Sequence, residues 1–209
     1  MLRKILFLFI FISPFLSSGQ ITIVSDKTEK IALEKIATVH EDAEHRVNIN
    51  QLLVGNNFSF AQRDWLNLGI TYKNYWLKFS LKNASDKDLD LFLTFEAIVN
   101  DSLLLYKIVN GKIVEKTILG EVISFVQRKI KHQNPIFSIK LKADEKAQYY
   151  VQAIGTGQPM NLTAELLNAE GFHQWDTQKM FFLGLIYGIM SLILILNSSF
   201  FVITQEKIY

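Results

Sequence analysis

Apolar and polar side chains alternate through the middle of the chain, and this pattern predicts a series of β-strands. Between residues 75 and 82 every second position is large and apolar, and the intervening positions hold Trp76, Lys78, Ser80 and Lys82. A period of two is typical of a strand with one buried face. The same pattern predicts further strands at 89–95, 106–109, 112–117, 136–142, 148–154 and 162–167.

Turn signals separate these predicted strands. Asn110-Gly111 is the dipeptide that best tolerates the positive φ angles of a tight hairpin turn, and polar runs at 83–88 and 143–146 indicate further connections. Helical periodicity is hard to find before Phe172, apart from a short turn near residues 50–54. Short strands at roughly 8 to 12 residue spacing predict an all-β domain, a jelly roll or β-sandwich, over residues 20–170.

The C-terminal part of the chain is continuously apolar. Residues 180–204 contain no charged side chain. As a helix with about 1.5 Å of rise per residue they would reach roughly 37 Å, enough to cross a hydrocarbon core of about 30 Å with some tilt. We therefore predict a transmembrane helix at 180–204, a juxtamembrane linker at 171–179 and a short cytoplasmic end at 205–209.

A second apolar run lies at the N-terminus and has the features of a secretory signal. Arg3 and Lys4 precede an apolar core that ends at Pro14, and small residues follow up to Gly19. This core is too short to span a bilayer, so we predict a signal peptide at 1–19 and a mature chain that begins at Gln20. An exported β-domain followed by a membrane span predicts a single-pass membrane protein.

Charge and cysteine content narrow the function classes. The whole chain carries 22 basic and 20 acidic residues, and removal of Arg3 and Lys4 with the signal leaves 20 of each. A neutral mature chain lacks the basic excess of a nucleic-acid-binding protein, so no nucleic-acid partner is predicted. The chain has no cysteine, so a lipid anchor or a disulfide is not expected, and about 150 residues bury a sufficient core without one.

The segment Tyr75-Trp-Leu-Lys-Phe-Ser-Leu-Lys-Asn83 resembles the central strand of the second class of extracellular domain in bacterial seven-transmembrane receptors with diverse intracellular signalling modules. Other pieces follow in the order of that family: Glu41-Asp42, Leu68-Gly69, Gly120-Glu121, Phe125-Val-Gln-Arg128, His132 and Tyr150-Val151. The resemblance covers nearly the whole mature chain, and residues 180–204 resemble the first membrane helix of the family.

The resemblance implies a jelly roll similar to carbohydrate-binding modules that receives a small ligand, with sugars as the expected class. It also implies a receptor with six more membrane helices and a cytoplasmic output module, so we expect this chain to be truncated after its first helix. A bacterial receptor of this kind would lie in the inner membrane, with the β-domain in the periplasm. The alternative is a complete single-span anchored protein whose domain binds a partner and whose helix pairs with a second copy.

Candidate ligand residues are chosen by the needs of sugar recognition, which uses flat aromatic faces with polar groups around them. Trp65, Tyr72 and Trp76 lie close together in sequence near a predicted strand edge. For Trp76 and Trp65 the competing interpretation is burial, under a loop or in the core. Both interpretations remain open at this stage.

Arg128 and His132 are the second candidate pair, because they place a planar donor near a titratable ring. The competing interpretation of Arg128 is a structural ion pair with Asp101 or Glu121. Neither residue supports a catalytic role, and we predict no enzyme activity, no catalytic residue, no metal site and no cofactor.

Four positions in the predicted membrane helix are candidates for helix packing. Gly184 and Gly188 form a small-xxx-small pattern that Ser191 continues, and Asn197 places an amide well inside the hydrocarbon. Such groups favour a protein neighbour, in a helix bundle or in a self-associated pair.

Overall fold

The computed structural model describes residues 21–55, 58–62, 66–96 and 102–204. Most of the strands form two sheets, in which all of the described strand pairings but one are antiparallel. The larger sheet contains β1 (Ile21–Val24), β3 (Thr38–Asp42), β4 (Ala61–Gln62), β6 (Asn74–Asn83), β8 (Ser102–Val109), β9 (Lys112–Leu119) and β11 (Lys146–Ile154). The smaller sheet contains β2 (Lys30–Ala32), β7 (Leu89–Phe95), β10 (Ile136–Leu141) and β13 (Ala164–Asn168). A separate pair consists of β5 (Asn67–Thr71) and β12 (Gln158–Asn161).

The strand order is β4-β3-β6-β11-β8-β9 in the larger sheet and β10-β7-β13-β2 in the smaller one. β1 lies parallel to the second half of β6, with Ile21 opposite Ser80. The turn between β8 and β9 has Asn110 at φ 51° and Gly111 at φ 73°, as the hairpin prediction requires. The β-sandwich predicted from the alternation is confirmed, and the sheets do not close into a barrel.

The main core lies between the two sheets and is built from the alternating apolar positions. Leu77, Leu81 and Leu93 are completely buried, and the rings of Phe79 and Tyr149 stack with their centroids 5.2 Å apart. Burial raises the pKa of the Tyr149 phenol far above its ordinary value, and the nearby negative charges of Glu145 and Glu115 raise it further.

One buried lysine ties the two sheets together. Lys107 of β8 donates from Nζ to the carbonyl oxygen of Lys140 on β10 at 2.6 Å and to Glu145 Oε2 at 2.8 Å. Burial by itself would raise the pKa of Glu145, but the hydrogen bonds from Lys107 and from the Lys142 N–H, with the charges of both lysines, hold it below its ordinary value. The carboxylate therefore remains charged in the folded protein.

The helices are α1 (Leu33–Ile36), α2 (Ile49–Val54) and α3 (Ala169–Thr204), and a 3₁₀ turn covers Phe125–Gln127. α2 begins at a capping box, in which the Asn48 side chain accepts from the Gln51 N–H and the Gln51 side chain accepts from the Asn48 N–H. It lies on the outer face of the larger sheet, where Ile49 and Leu52 pack in a second apolar cluster.

α3 follows β13 directly and is the only helix within the described ranges that is long and apolar enough to span a membrane, from Ala169 to Ile203. Residues 171–179, expected to be a linker, form early turns of this same helix. The predicted signal peptide and the predicted cytoplasmic end lie outside the described residues.

Candidate functional site

A basic loop after β9 is held in shape by Arg128. Its Nη1 donates to the carbonyl oxygens of His132 at 3.1 Å and Gln133 at 3.3 Å, and its Nη2 donates to that of Gly120 at 3.3 Å. All of the hydrogen-bond partners that the described residues give the Arg128 guanidinium are backbone carbonyls. The competing interpretation from the sequence was an ion pair with Asp101 or Glu121, and Asp101 lies outside the described residues. Arg128 therefore fixes the two ends of the loop to each other.

His132 joins this loop to helix α3. The side chain is 8% exposed, and its Nε2 lies 3.2 Å from Oδ1 of Asp176. The contact is short but lacks the geometry of a directed hydrogen bond, so we describe it as an electrostatic contact. The Asn134 N–H donates to Nδ1 at 3.0 Å, so Nδ1 is the acceptor and, in the neutral ring, Nε2 carries the proton.

Aromatic rings complete this junction between the sandwich and α3. Phe172 stacks on Phe92 of β7 with a centroid distance of 4.6 Å, and Trp175 lies 5.5 Å from the His132 ring. Lys179 places its Nζ over the Trp175 ring at 4.1 Å from the centroid. The rings thus contact the sandwich along the first turns of α3.

The start of α3 is also fixed by its backbone. The Asn168 side chain caps the helix by accepting from the Gly171 N–H at 2.7 Å, and it donates to the carbonyl of Asp26 at 3.0 Å. A Cβ at Gly171 would lie 2.4 Å from the carbonyl oxygen of Glu29, so only glycine allows this approach. We call His132, Phe92, Asn168, Phe172, Trp175 and Asp176 the helix junction.

A second surface lies on the outer face of the larger sheet. Lys78, Tyr150, Tyr106 and Lys116 are direct neighbours across four adjacent strands, in that order. Lys78 Nζ lies 5.8 Å from the Tyr150 ring centroid, and Lys116 Nζ lies 5.5 Å from that of Tyr106. We call these four residues the lysine–tyrosine row.

The charged side chains that these four strands present on this face are all positive. Strand alternation gives Lys78, Lys82, Lys116 and Lys146 the same outward direction as the two tyrosines, and no acidic residue of β6, β8, β9 or β11 shares it. Among the described residues none of the four ammonium groups has a carboxylate partner. Lys82 and Lys146 are directly opposite each other, a like-charge pairing that destabilises a sheet.

Burial shifts the pKa values of three side chains in the row. It lowers the pKa of the Lys78 ammonium and raises the pKa of both Tyr106 and Tyr150. The side chains of Gln148 and Gln152, half-buried on the same face, supply amide donors and acceptors beside the tyrosines. The face thus offers cations and amides beside two tyrosines that are themselves buried in the second apolar cluster.

The structure describes two of the three sequence-predicted aromatic candidates, and they differ in exposure. Trp76 is completely buried beside Tyr106, with ring centroids 6.0 Å apart, under the segment that carries α2. Its ring has no free face for a ligand, because a neighbouring loop covers the outer side of β6 at that position. Tyr72 is 71% exposed, and Trp65 lies outside the described residues.

The membrane-helix candidates are all exposed along α3. Asn197 donates from Nδ2 to the Ile193 carbonyl at 2.9 Å, which satisfies one amide group inside the helix. At about 100° per residue, Gly184, Gly188 and Ser191 share one side of the helix, and Asn197 lies about 140° around from Gly184. Two separate sides of α3 therefore carry packing signals.

Sequence reasoning did not identify Tyr106, Lys116, Trp175 or Asp176. The strand predictions placed Tyr106 and Tyr150 on strands, but only the pairing of β8 with β11 makes them neighbours. The signal for the junction was present in the sequence as Trp175 and Asp176 shortly before the apolar run, a position where aromatic and charged residues mark a membrane boundary.

The chain was compared with known families, proteins and structures. The family described as 7TMR-DISM extracellular 2 matches residues 19–168. No curated protein matches the chain significantly.

Solved structures give loose similarities. A β-glucuronidase from Ruminococcus gnavus in complex with uronic deoxynojirimycin superposes with a TM-score of 0.39 and 10% identity, covering 73% of this chain and 31% of that one. A family 35 carbohydrate-binding module from Clostridium thermocellum gives 0.33 and 10%, covering 67% and 98%. A β-glucosidase from Kluyveromyces marxianus in complex with glucose gives 0.32 and 11%, covering 64% and 15%. The chain thus spans under a third of the length of both glycosidases, and superpositions this loose carry no argument about ligand or activity.

Proposed function

Because the chain belongs to the 7TMR-DISM extracellular 2 family, we propose that it is the ligand-sensing input of a membrane signalling receptor. In this proposal the β-sandwich lies in the periplasm, α3 crosses the inner membrane, and the ligand is a small molecule, with carbohydrate as the favoured class. The family is one of receptor extracellular domains, so the proposed role is binding and not catalysis.

The observation that carries the proposal is the helix junction. α3 leaves β13 without an intervening loop, and His132, Phe92 and Asn168 hold its first turns against the sandwich. A ligand that favours one arrangement of the sandwich would therefore also favour one arrangement of α3, which is the requirement for signalling by population shift.

The lysine–tyrosine row is the surface that we propose for the ligand. Lys78 and Lys116 lack carboxylate partners among the described residues. Lys82 and Lys146, four residues further along the same face, lack them too, and their direct pairing is a cost that an anion reaching both would reduce. Tyr106 and Tyr150 are almost completely buried in the apolar cluster with Ile49 and Leu52 of α2. The contacts that we propose for the ligand are therefore the ammonium and amide groups of this face, and not the tyrosine rings. We therefore favour a sugar that carries a carboxylate group.

The two sides of α3 that carry packing signals favour a helix bundle. A single helix pair would occupy one side of α3, whereas Gly184 and Asn197 face directions about 140° apart. The Asn197 amide oxygen accepts no hydrogen bond from the described residues, and such a group in hydrocarbon favours a protein neighbour. These features support a receptor more than an isolated anchor.

The test is thermal unfolding of the full chain in nanodiscs with a panel of neutral and uronate-containing oligosaccharides. A ligand at about 100 times its dissociation constant would add roughly 2.7 kcal/mol to the free energy of unfolding. Lys116→Gln should abolish this gain and cost the unliganded protein no more than about 1 kcal/mol, because the side chain is exposed and loses only its contact with the Tyr106 ring.

Lys112→Gln is the matched control, since Lys112 is exposed on the same strand but points to the opposite side. Equal loss of the gain in both variants would contradict the assignment of the row. A gain from neutral sugars alone would contradict the role of the lysines, and no gain from any sugar would rule out carbohydrate as the ligand class.

A further inference from the structure

The loop between β9 and β10 exposes apolar side chains that the sandwich does not use. Val122, Phe125 and Val126 are 62%, 51% and 80% exposed. Phe125 and Val126 lie in the 3₁₀ turn, whose outline is held by the Arg128 contacts with backbone carbonyls. Apolar residues are thus presented to the outside on a loop of defined shape.

The loop is tied to α3 just before the apolar part of that helix. Arg128 binds the carbonyl of His132, and His132 contacts Asp176 on α3. Asp176 precedes Met180, where the uncharged run begins, by four residues, or about 6 Å along the helix axis. Since each headgroup layer of a bilayer is about 5–7 Å thick, the loop is anchored at the level of the lipid headgroups.

The charges of the loop complement such a surface. The loop, residues 120–135, contains Arg128, Lys129 and Lys131 against a single acidic residue, Glu121, at its start, and both lysines are exposed. Basic side chains interspersed with exposed Phe and Val are typical of segments that lie in the interface of an anionic bilayer. Lys179, over Trp175 on the neighbouring helix, adds a further cation and an aromatic ring at the same level.

We propose that residues 122–131 form a membrane-contacting loop. Phe125 and Val126 enter the interfacial layer of the bilayer, and Lys129 and Lys131 bind anionic lipid headgroups. The membrane thereby holds the sandwich through two attachments, the spanning helix and this loop. The proposal depends on the membrane helix and not on the identity of any ligand.

The absence of cysteine allows a direct test, because single cysteines can be introduced for nitroxide spin labels. Val126→Cys is labelled in the full chain and reconstituted into nanodiscs of phosphatidylcholine with or without phosphatidylglycerol. Val54→Cys, at the end of α2, is the matched control, because Val54 is an apolar residue with 88% exposure and no lysine near it in the sequence. Accessibility to oxygen and to a water-soluble nickel chelate is read from power-saturation spectra.

In phosphatidylglycerol nanodiscs, we expect the label at residue 126 to be at least threefold less accessible to the nickel chelate than the label at residue 54, and more accessible to oxygen. The double substitution K129Q/K131Q should reduce this protection. Equal accessibility at both sites would overturn the proposal. Protection that persists in detergent and grows with protein concentration would also overturn it, in favour of a contact between two copies.

Discussion

The Lys107–Glu145 pair provides a stability prediction with a defined magnitude. Lys107 is 11% exposed and Glu145 is 16% exposed in their side chains, and the lysine also donates to the Lys140 carbonyl on the other sheet. Substitution of Glu145 by Gln keeps the size of the side chain but removes the charge that compensates the buried ammonium. The variant therefore isolates the electrostatic part of the link between the sheets.

Breaking a fully buried ion pair costs about 3–5 kcal/mol, and losing an exposed pair costs about 0–1 kcal/mol. Because both partners are mostly covered but keep some contact with water, we expect E145Q to cost about 2–3 kcal/mol. For a domain of this size that corresponds to a melting temperature lower by roughly 5–10 °C. Adding K107M to E145Q should recover at least about 1 kcal/mol, since it removes the unpaired cation.

The same pair predicts a pH dependence. Burial alone would raise the pKa of Glu145, but Lys107 and the Lys142 N–H lower it below its ordinary value. A group with a depressed pKa stabilises the fold fully above its unfolded pKa, about 4.3 for Glu, and that contribution is lost as the pH falls through the folded pKa. The stability difference between wild type and E145Q should therefore shrink as the pH drops below about 4.

The assay is thermal and urea unfolding of the full chain in detergent, followed by circular dichroism and by tryptophan fluorescence, to which the buried Trp76 contributes. Asp90→Asn is the matched control, because Asp90 and Lys140 form an exposed pair at 3.5 Å whose loss should cost under about 0.5 kcal/mol. If E145Q and D90N were destabilised equally, or if the E145Q difference were independent of pH, the reasoning would be refuted.

The helix junction gives two further predictions. Asn168→Ala removes the cap of α3 and should cost about 1 kcal/mol and speed amide exchange in the first turns of the helix, whereas Asn168→Asp should keep the cap. Gly171→Ala should lower the free energy of unfolding by about 1–3 kcal/mol, because its Cβ would meet the Glu29 carbonyl, although alanine is the better helix former. Gly184→Ala in the same helix is the control: nothing lies within 4 Å of that position, so the stability of the sandwich should be unchanged.

The long strands were predictable because their signal is local. β6 and β7 each alternate over seven or more residues, and Asn110-Gly111 sets its own turn, so these elements follow from neighbouring residues alone. β1 and other short strands, among them β2, β5 and β12, were not predicted, since they are ordered by pairing with neighbouring strands. Their apolar pattern is too brief to predict a strand without its partner.

The candidate site was less predictable because it depends on register. His132 was identified in the sequence, but its contact Asp176 lies on another element, far along the chain. Trp76 was placed correctly on the outer side of its strand, yet only the structure reveals that the α2 segment covers it. Lys78, Tyr150, Tyr106 and Lys116 form a row only after three strand pairings are fixed. Such alignments are non-local and leave no pattern in the sequence.

The direct continuation of β13 into α3 has a mechanical consequence. A straight helix of 36 residues is about 54 Å long, so a small change of its angle at the junction moves its far end by a large distance. Each degree of tilt at the sandwich displaces the far end of the helix by about 1 Å. A tilt of a few degrees is too small to disturb the packing of the two sheets. It would nevertheless move the far end of α3, in the opposite leaflet, by a distance comparable to the rise between successive helical residues.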